Sequence, residues 1–167
     1  MDAVKAFEKI RDVPYRIPLN LKERDDSCSG KSDRLFKLLT KTGYKVRYRV
    51  CEFLWSSMDL PAVVRKAPHE NRCTHTYLEV YINGKWRVLD ATWDKGLGSV
   101  LHVNHWNGES STEIAVKPIK TFTPEKSRSA VNAYGTEKEI KADLRENGRF
   151  YRAFNEWADM VRHSSRN

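Results

Sequence analysis

The chain has 167 residues, 40% of them hydrophobic, and a formal net charge of +8. That length suits one domain with a single sizeable core, and the apolar fraction excludes a wholly disordered chain. Lysine and arginine are scattered among acidic residues (Lys31, Arg34, Arg47, Arg49, Arg65, Lys117, Lys141, Arg162) with no compact basic run, so nucleic acid is not the expected partner.

No apolar run approaches a membrane span, and Met1-Asp2-Ala3-Val4-Lys5 lacks the apolar stretch of a signal peptide. Three cysteines without framework spacing agree with a reducing compartment. The expectation is a cytoplasmic protein with no membrane partner.

In chain order, Ala3 to about Arg11 reads as a short amphipathic helix carrying Val4, Phe7 and Ile10. Pro14 and Pro18 then leave an extended segment, and a polar loop through Asn20, Glu23 and Asp25 leads to Cys28. Leu35, Phe36, Leu38 and Leu39 follow at helical spacing, with Asp26 and Ser27 placed to cap the helix and Gly43 to end it. Tyr44 to Val50 alternates apolar and basic residues, the pattern of a half-buried strand. Leu54 to Asn71 reads as a connecting excursion with a short helix near Leu60 to Val64.

Cys73–Ile82 and Lys85–Thr92 read as two strands joined by Asn83-Gly84, the strongest two-residue hairpin signal. Beyond Trp93, Glu113–Val116 is a candidate strand and Pro124–Ser129 a polar surface segment. Thr136 to Val161 is helical in pattern, with Phe150, Phe154, Trp157 and Val161 as one stripe and Gly148 as a possible divider. The stripe reads as core.

Two of these elements carry chemistry. A thiol at a helix N-terminus, such as Cys28, feels the positive end of the backbone dipole, which favours the nucleophilic thiolate. In the hairpin, the two-residue turn makes Ile82 face Lys85; counting outward, Tyr77 faces Asp90 and His75 faces Thr92. His75 and Asp90 therefore share a sheet face as diagonal neighbours, roughly 7–8 Å apart at the backbone, within reach of one hydrogen bond. That is the base and orienting acid that a thiol nucleophile needs.

Asp94 lies on the other diagonal, and geometry alone leaves both acids open. Cys73 is a rival nucleophile, but a strand offers it no helix dipole. A zinc site built from His69, Cys73, His75, His102 and His105 fits no standard ligand spacing, and no metal or cofactor is expected.

The order of Cys at a helix start, His on a strand and Asp on the next resembles the transglutaminase-like superfamily of papain-fold thiol enzymes. The matching stretches are Cys28-Ser29-Gly30-Lys31-Ser32 through Gly43-Tyr44-Lys45-Val46-Arg47, then His75-Thr76-Tyr77-Leu78-Glu79-Val80-Tyr81 and Gly84-Lys85-Trp86-Arg87-Val88-Leu89-Asp90-Ala91-Thr92. They cover about residues 15 to 95. The resemblance implies an α+β, papain-like core: the nucleophile helix packed on an antiparallel sheet, within a single domain 1–167 that carries a C-terminal helical extension over about 136–163.

It implies a Cys28-His75-Asp90 triad attacking an amide of a peptide or protein substrate, with Asp90 rather than Asp94 as third member, and hydrolysis favoured over transamidation. The alternative is a catalytically idle module of the same fold that binds a partner through its basic surface. Two departures stand out: Asp25-Asp26-Ser27 precede the cysteine where the family often has glycine, and the chain contains no glutamine to donate to an oxyanion. The Cys28 backbone N–H is one candidate donor, and Tyr15 or Asn20 is the candidate for another.

Overall fold

The computed structural model describes residues 2–164. It is an α+β structure built on one four-stranded antiparallel sheet. The strands are β1 (Val46–Leu54), β2 (Arg72–Ile82), β3 (Lys85–Leu89) and β4 (Lys120–Thr121), in the order β3-β2-β1-β4. The helices are α1 (Ala3–Arg11), α2 (Cys28–Lys41), α3 (Ala62–Arg65), α4 (Pro124–Ala133) and α5 (Glu137–Ser164). Among the described residues no helix is long and apolar enough to cross a membrane.

The expected hairpin closes in the counted register but its ladder ends at Leu89, short of the expected Thr92, so the counted Tyr77–Asp90 and His75–Thr92 pairs do not form. Ile82 pairs with Lys85, Tyr81 with Trp86, Glu79 with Val88 and Leu78 with Leu89. Asn83 at φ 49° and Gly84 at φ 78° supply the two positive φ angles that match the strand twist.

Alternation sends the two faces of β1 and β2 to different partners. Tyr48, Leu78 and Val80 face α1 and α2, packing with Phe7, Ile10, Leu35 and Leu39. Cys51, Phe53 and Tyr77 point the other way, toward Trp55, Trp93 and the Phe150, Phe154 and Trp157 stripe of α5. Burial of each such phenylalanine contributes about 1.5–3 kcal/mol, so α5 is a major support of this face.

Several boundaries differ from the sequence expectation. Tyr44 stays out of β1 because its N–H bonds back to the Leu39 carbonyl at 3.1 Å in the turn that ends α2. The strand runs on instead to Leu54, opposite Arg72. Glu113–Val116 is not a strand, since its backbone donors serve side chains: Glu113 N–H donates to Asn104 Oδ1 at 3.1 Å and Ala115 N–H to Asp90 Oδ2 at 2.8 Å. The edge beside β1 is taken by β4.

The polar stretch from Pro124 opens a helix, because Thr123 Oγ1 accepts from Lys126 N–H at 3.2 Å and proline suits the first helical position. The second helix of this region is unbroken: α5 passes through Gly148, where an added Cβ would meet nothing within 4 Å.

Candidate active site

Cys28 is the first residue of α2, as expected, and is half-buried. The expected side-chain cap is absent: Ser27 occupies the cap position, but its hydroxyl bonds no helical N–H. The entry loop is held by its own acids instead. Ser27 N–H donates to Asp25 Oδ1 at 2.8 Å, and Arg34 donates to the Asp25 carbonyl at 2.7 Å and pairs with Asp26 at 2.6 Å. This loop presses so closely on the helix that a Cβ at Gly30 would lie 1.9 Å from the Asp25 carbonyl oxygen. Because Cys28 opens the helix, its backbone N–H has no acceptor within the helix.

His75 projects from β2 and is 2% exposed. Its Nε2 bonds Asp90 Oδ2 at 2.7 Å, leaving Nδ1 as the nitrogen free for another partner. Asp90 stands just past β3, where the ladder stops because the carboxylate turns the chain: Oδ1 accepts from Thr92 N–H at 3.0 Å, and Oδ2 also accepts from Ala115 N–H. Burial alone raises the Asp90 carboxyl, but the His75 charge and these donors outweigh it and hold the carboxyl below its usual range. For His75 the balance is the mirror image. Burial disfavours the charged ring, yet Asp90 and the Cys28 sulfur, acting as charge and hydrogen-bond acceptor, raise its pKa. The imidazole therefore lies between a carboxylate and a sulfur, both of which favour its charged form.

Asp94, the other acid, does not touch His75. It accepts from Tyr15 N–H at 2.8 Å, Gly96 N–H at 3.1 Å, and the Arg162 guanidinium at 3.1 and 2.8 Å. Against the cost of burial these bonds hold the Asp94 carboxyl low. Arg162 also donates to the Tyr15 carbonyl at 2.8 Å, and Asn155 brackets Ile17 through both its N–H and its C=O at 3.0 and 2.8 Å. Two polar residues of α5 thus pin the segment that carries Tyr15.

Tyr15 is 4% exposed, lines the same cleft as Cys28, and its hydroxyl bonds no described residue. Burial first, then the thiols of Cys28 and Cys73 and the charge of Asp25, raise the phenol well above its usual value, so it stays an O–H donor. Asn20 is exposed, and its amide is engaged: Nδ2 donates to Glu23 at 2.7 Å and Oδ1 accepts from Lys22 N–H at 2.9 Å. Cys73 lines the cleft, and burial pushes its thiol up to about 12, as it does Cys51.

Lys31, one of the scattered basic residues, is not on the surface: it is 1% exposed. Its ammonium donates to the carbonyls of Arg11 and Val13 at 2.8 Å and of Thr92 at 2.7 Å, so all its protons are used. Burial pulls its pKa to about 7, against the attraction of Asp94 and Asp90. The lysine joins the first turn of α2 to the end of α1 and to the chain just after Asp90.

The cleft over Cys28 has a volume of about 740 Å³ and lies between the entry loop, the ends of β1 and β2, and the α4–α5 junction. Among the described residues no group of three or more His, Cys, Asp or Glu stands close enough to hold a metal ion. Arg162, Asn155 and Lys31 carry no local signal in the sequence, since each acts on groups brought in from distant parts of the chain. Thr112 is another: its hydroxyl accepts from Asp90 N–H at 2.9 Å. No family model matches this chain, and comparison with curated proteins and with solved structures finds no match.

Proposed function

We propose that this protein is a thiol-dependent hydrolase of amide or peptide bonds, with a papain-like, transglutaminase-like core and Cys28, His75 and Asp90 as its triad. The observation that carries this reading is the buried Asp90–His75 hydrogen bond beside a cysteine that opens a helix inside a cleft. In the proposed reaction the Cys28 thiol gives its proton to His75 Nδ1, the sulfur attacks the substrate carbonyl carbon and a C–S bond forms. The negative charge passes to the carbonyl oxygen, where the Cys28 backbone N–H and the Tyr15 O–H are the donors. The C–N bond then breaks as the His75 imidazolium gives its proton to the leaving amine, leaving a thioester and a neutral ring. Water attacks the thioester while His75 takes its proton; the C–S bond breaks, the ring returns that proton to the sulfur, and the acid product departs. Asp90 keeps the ring in the orientation and tautomer that expose Nδ1 to the sulfur.

The test is acylation with p-nitrophenyl acetate, read by intact mass and peptide mapping. The expected adduct is a thioester on Cys28, lost in Cys28→Ala and slowed in His75→Ala, with Cys73→Ser still acylated. An adduct that maps to Cys73, or that survives Cys28→Ala, would overturn the reading. Added butylamine distinguishes water from amine as the second substrate through the amide it would form.

A further inference from the structure

Resting on that reading, we propose that Lys31 and Ser32 are positioning residues for the reaction, a two-point latch that sets the Cys28 thiol against the His75–Asp90 pair. They stand three and four positions after Cys28 on α2, so they share its face of the helix. Both are buried. Each reaches the backbone beside one member of the pair. Ser32 Oγ donates at 3.1 Å to the carbonyl of Thr76, the residue after His75. Lys31 Nζ donates at 2.7 Å to the carbonyl of Thr92, whose own N–H is held by the Asp90 carboxylate at 3.0 Å.

Asp90 needs such support, because the ladder between β2 and β3 ends at Leu89 and strand pairing does not place the carboxylate. A second path runs from the same ammonium to the same residue. Lys31 donates to the Arg11 carbonyl at 2.8 Å, Arg11 Nη1 to the Asn104 carbonyl at 2.9 Å, and Asn104 Nδ2 to the Asp90 carbonyl at 2.9 Å. Arg11 and Asn104 are buried as well. Burying an ammonium is costly unless its protons are all accepted, and here the carbonyls of Arg11, Val13 and Thr92 accept them. The charge is thus spent on holding the head of α2, the end of α1 and the turn after Asp90 in one geometry. A misplacement of about 1 Å between reacting groups costs about a hundredfold in rate, so anchors beside both base and acid bear directly on the nucleophile.

The test is the second-order rate of Cys28 alkylation by iodoacetamide from pH 5 to 10, with peptide mass mapping, in wild type, Lys31→Met and Ser32→Ala, each shown by urea titration to be folded in the assay. A thiol set against an imidazole reacts as thiolate below its ordinary range, whereas well above about pH 9 any exposed cysteine is ionised. At pH 6 Lys31→Met is expected to slow alkylation about ten- to a hundredfold, and Ser32→Ala about two- to tenfold. At pH 10 both should stay within about twofold of wild type. Leu39→Ala, which opens a cavity in the core near the other end of α2, should lower stability without changing the profile. In an Asp90→Asn background Lys31→Met should add less than about twofold, since the latch acts through the pair, while its stability cost remains. Should Lys31→Met not fold, Lys31→Gln, which keeps two N–H donors, is read in its place. Wild-type profiles in both latch variants, a change no larger than that of Leu39→Ala, or full additivity with Asp90→Asn overturns the latch and leaves the triad standing. A wild-type Cys28 that reacts at pH 6 no faster than free cysteine removes the triad reading and the latch with it.

Discussion

Replacing Asp90 by asparagine tests the heart of the site, because every bond the carboxylate makes is one it accepts. Oδ2 takes His75 Nε2–H and Ala115 N–H, and Oδ1 takes Thr92 N–H. Asparagine has one oxygen. With that oxygen toward His75, the new NH2 faces the Thr92 N–H; turned over, it faces Ala115 N–H and obliges His75 to accept at Nε2. The second arrangement puts the ring proton on Nδ1, where the sulfur needs a base. Either way a buried donor loses its acceptor, at a cost of about 1–3 kcal/mol in stability.

The ring also loses its counter-charge. An opposite charge this close favours the imidazolium by about 1.4–4 kcal/mol, so the constant for protonating the ring falls about ten- to a thousandfold. The assay is the second-order rate of Cys28 alkylation by iodoacetamide between pH 5 and 9, followed by peptide mass mapping, with urea titration confirming that each variant is folded. Asp90→Asn should slow alkylation at pH 7 about a hundredfold. Asp94→Asn, which disturbs the Arg162 clasp and not the ring, should stay within about twofold of wild type. Equal slowing in both variants, or none in either, would refute the assignment of Asp90 as the group acting through His75.

Three further outcomes follow from named contacts. Gly30→Ala should destabilise the fold by about 2 kcal/mol or more and depress Cys28 alkylation, because a Cβ 1.9 Å from the Asp25 carbonyl displaces the entry loop; urea unfolding and the alkylation rate read both effects. Gly148→Ala should stabilise by about 0.5–1 kcal/mol in the same unfolding assay, since it replaces a helix-interior glycine where the added methyl meets nothing within 4 Å. Stability should fall on acidification: Asp90 and Asp94 are held low in the folded chain, so below about pH 4 the unfolded chain takes up protons first and their contribution is lost. His75, held high, adds stability below about pH 6.5 that fades as pH rises through its folded value, so the urea midpoint plotted against pH should lose ground on both sides.

The residues whose placement the sequence determined by itself are those under local rule. Asn83-Gly84 admits the two positive φ angles of a tight turn, the turn sets the register as far as Leu78 opposite Leu89, and the same alternation leaves His75 and the following Asp90 on one side, bonded at 2.7 Å. Cys28 at the head of α2 and the aromatic stripe of α5 follow in the same way from a period of 3.6.

Local pattern left Asp90 and Asp94 equivalent. Tertiary structure separated them by bringing Arg162, 68 residues away, and Tyr15 onto Asp94 while leaving Asp90 to the ring. It likewise buried Lys31, set Asn155 against Ile17 across 138 residues, used Glu113–Val116 to serve side chains rather than a ladder, and lined the cleft over Cys28 with acidic residues in a basic chain. These features share one physical cause. A polar side chain's partner inside a fold is whichever donor or acceptor packing delivers to it, and that depends on how distant segments meet rather than on its neighbours in sequence.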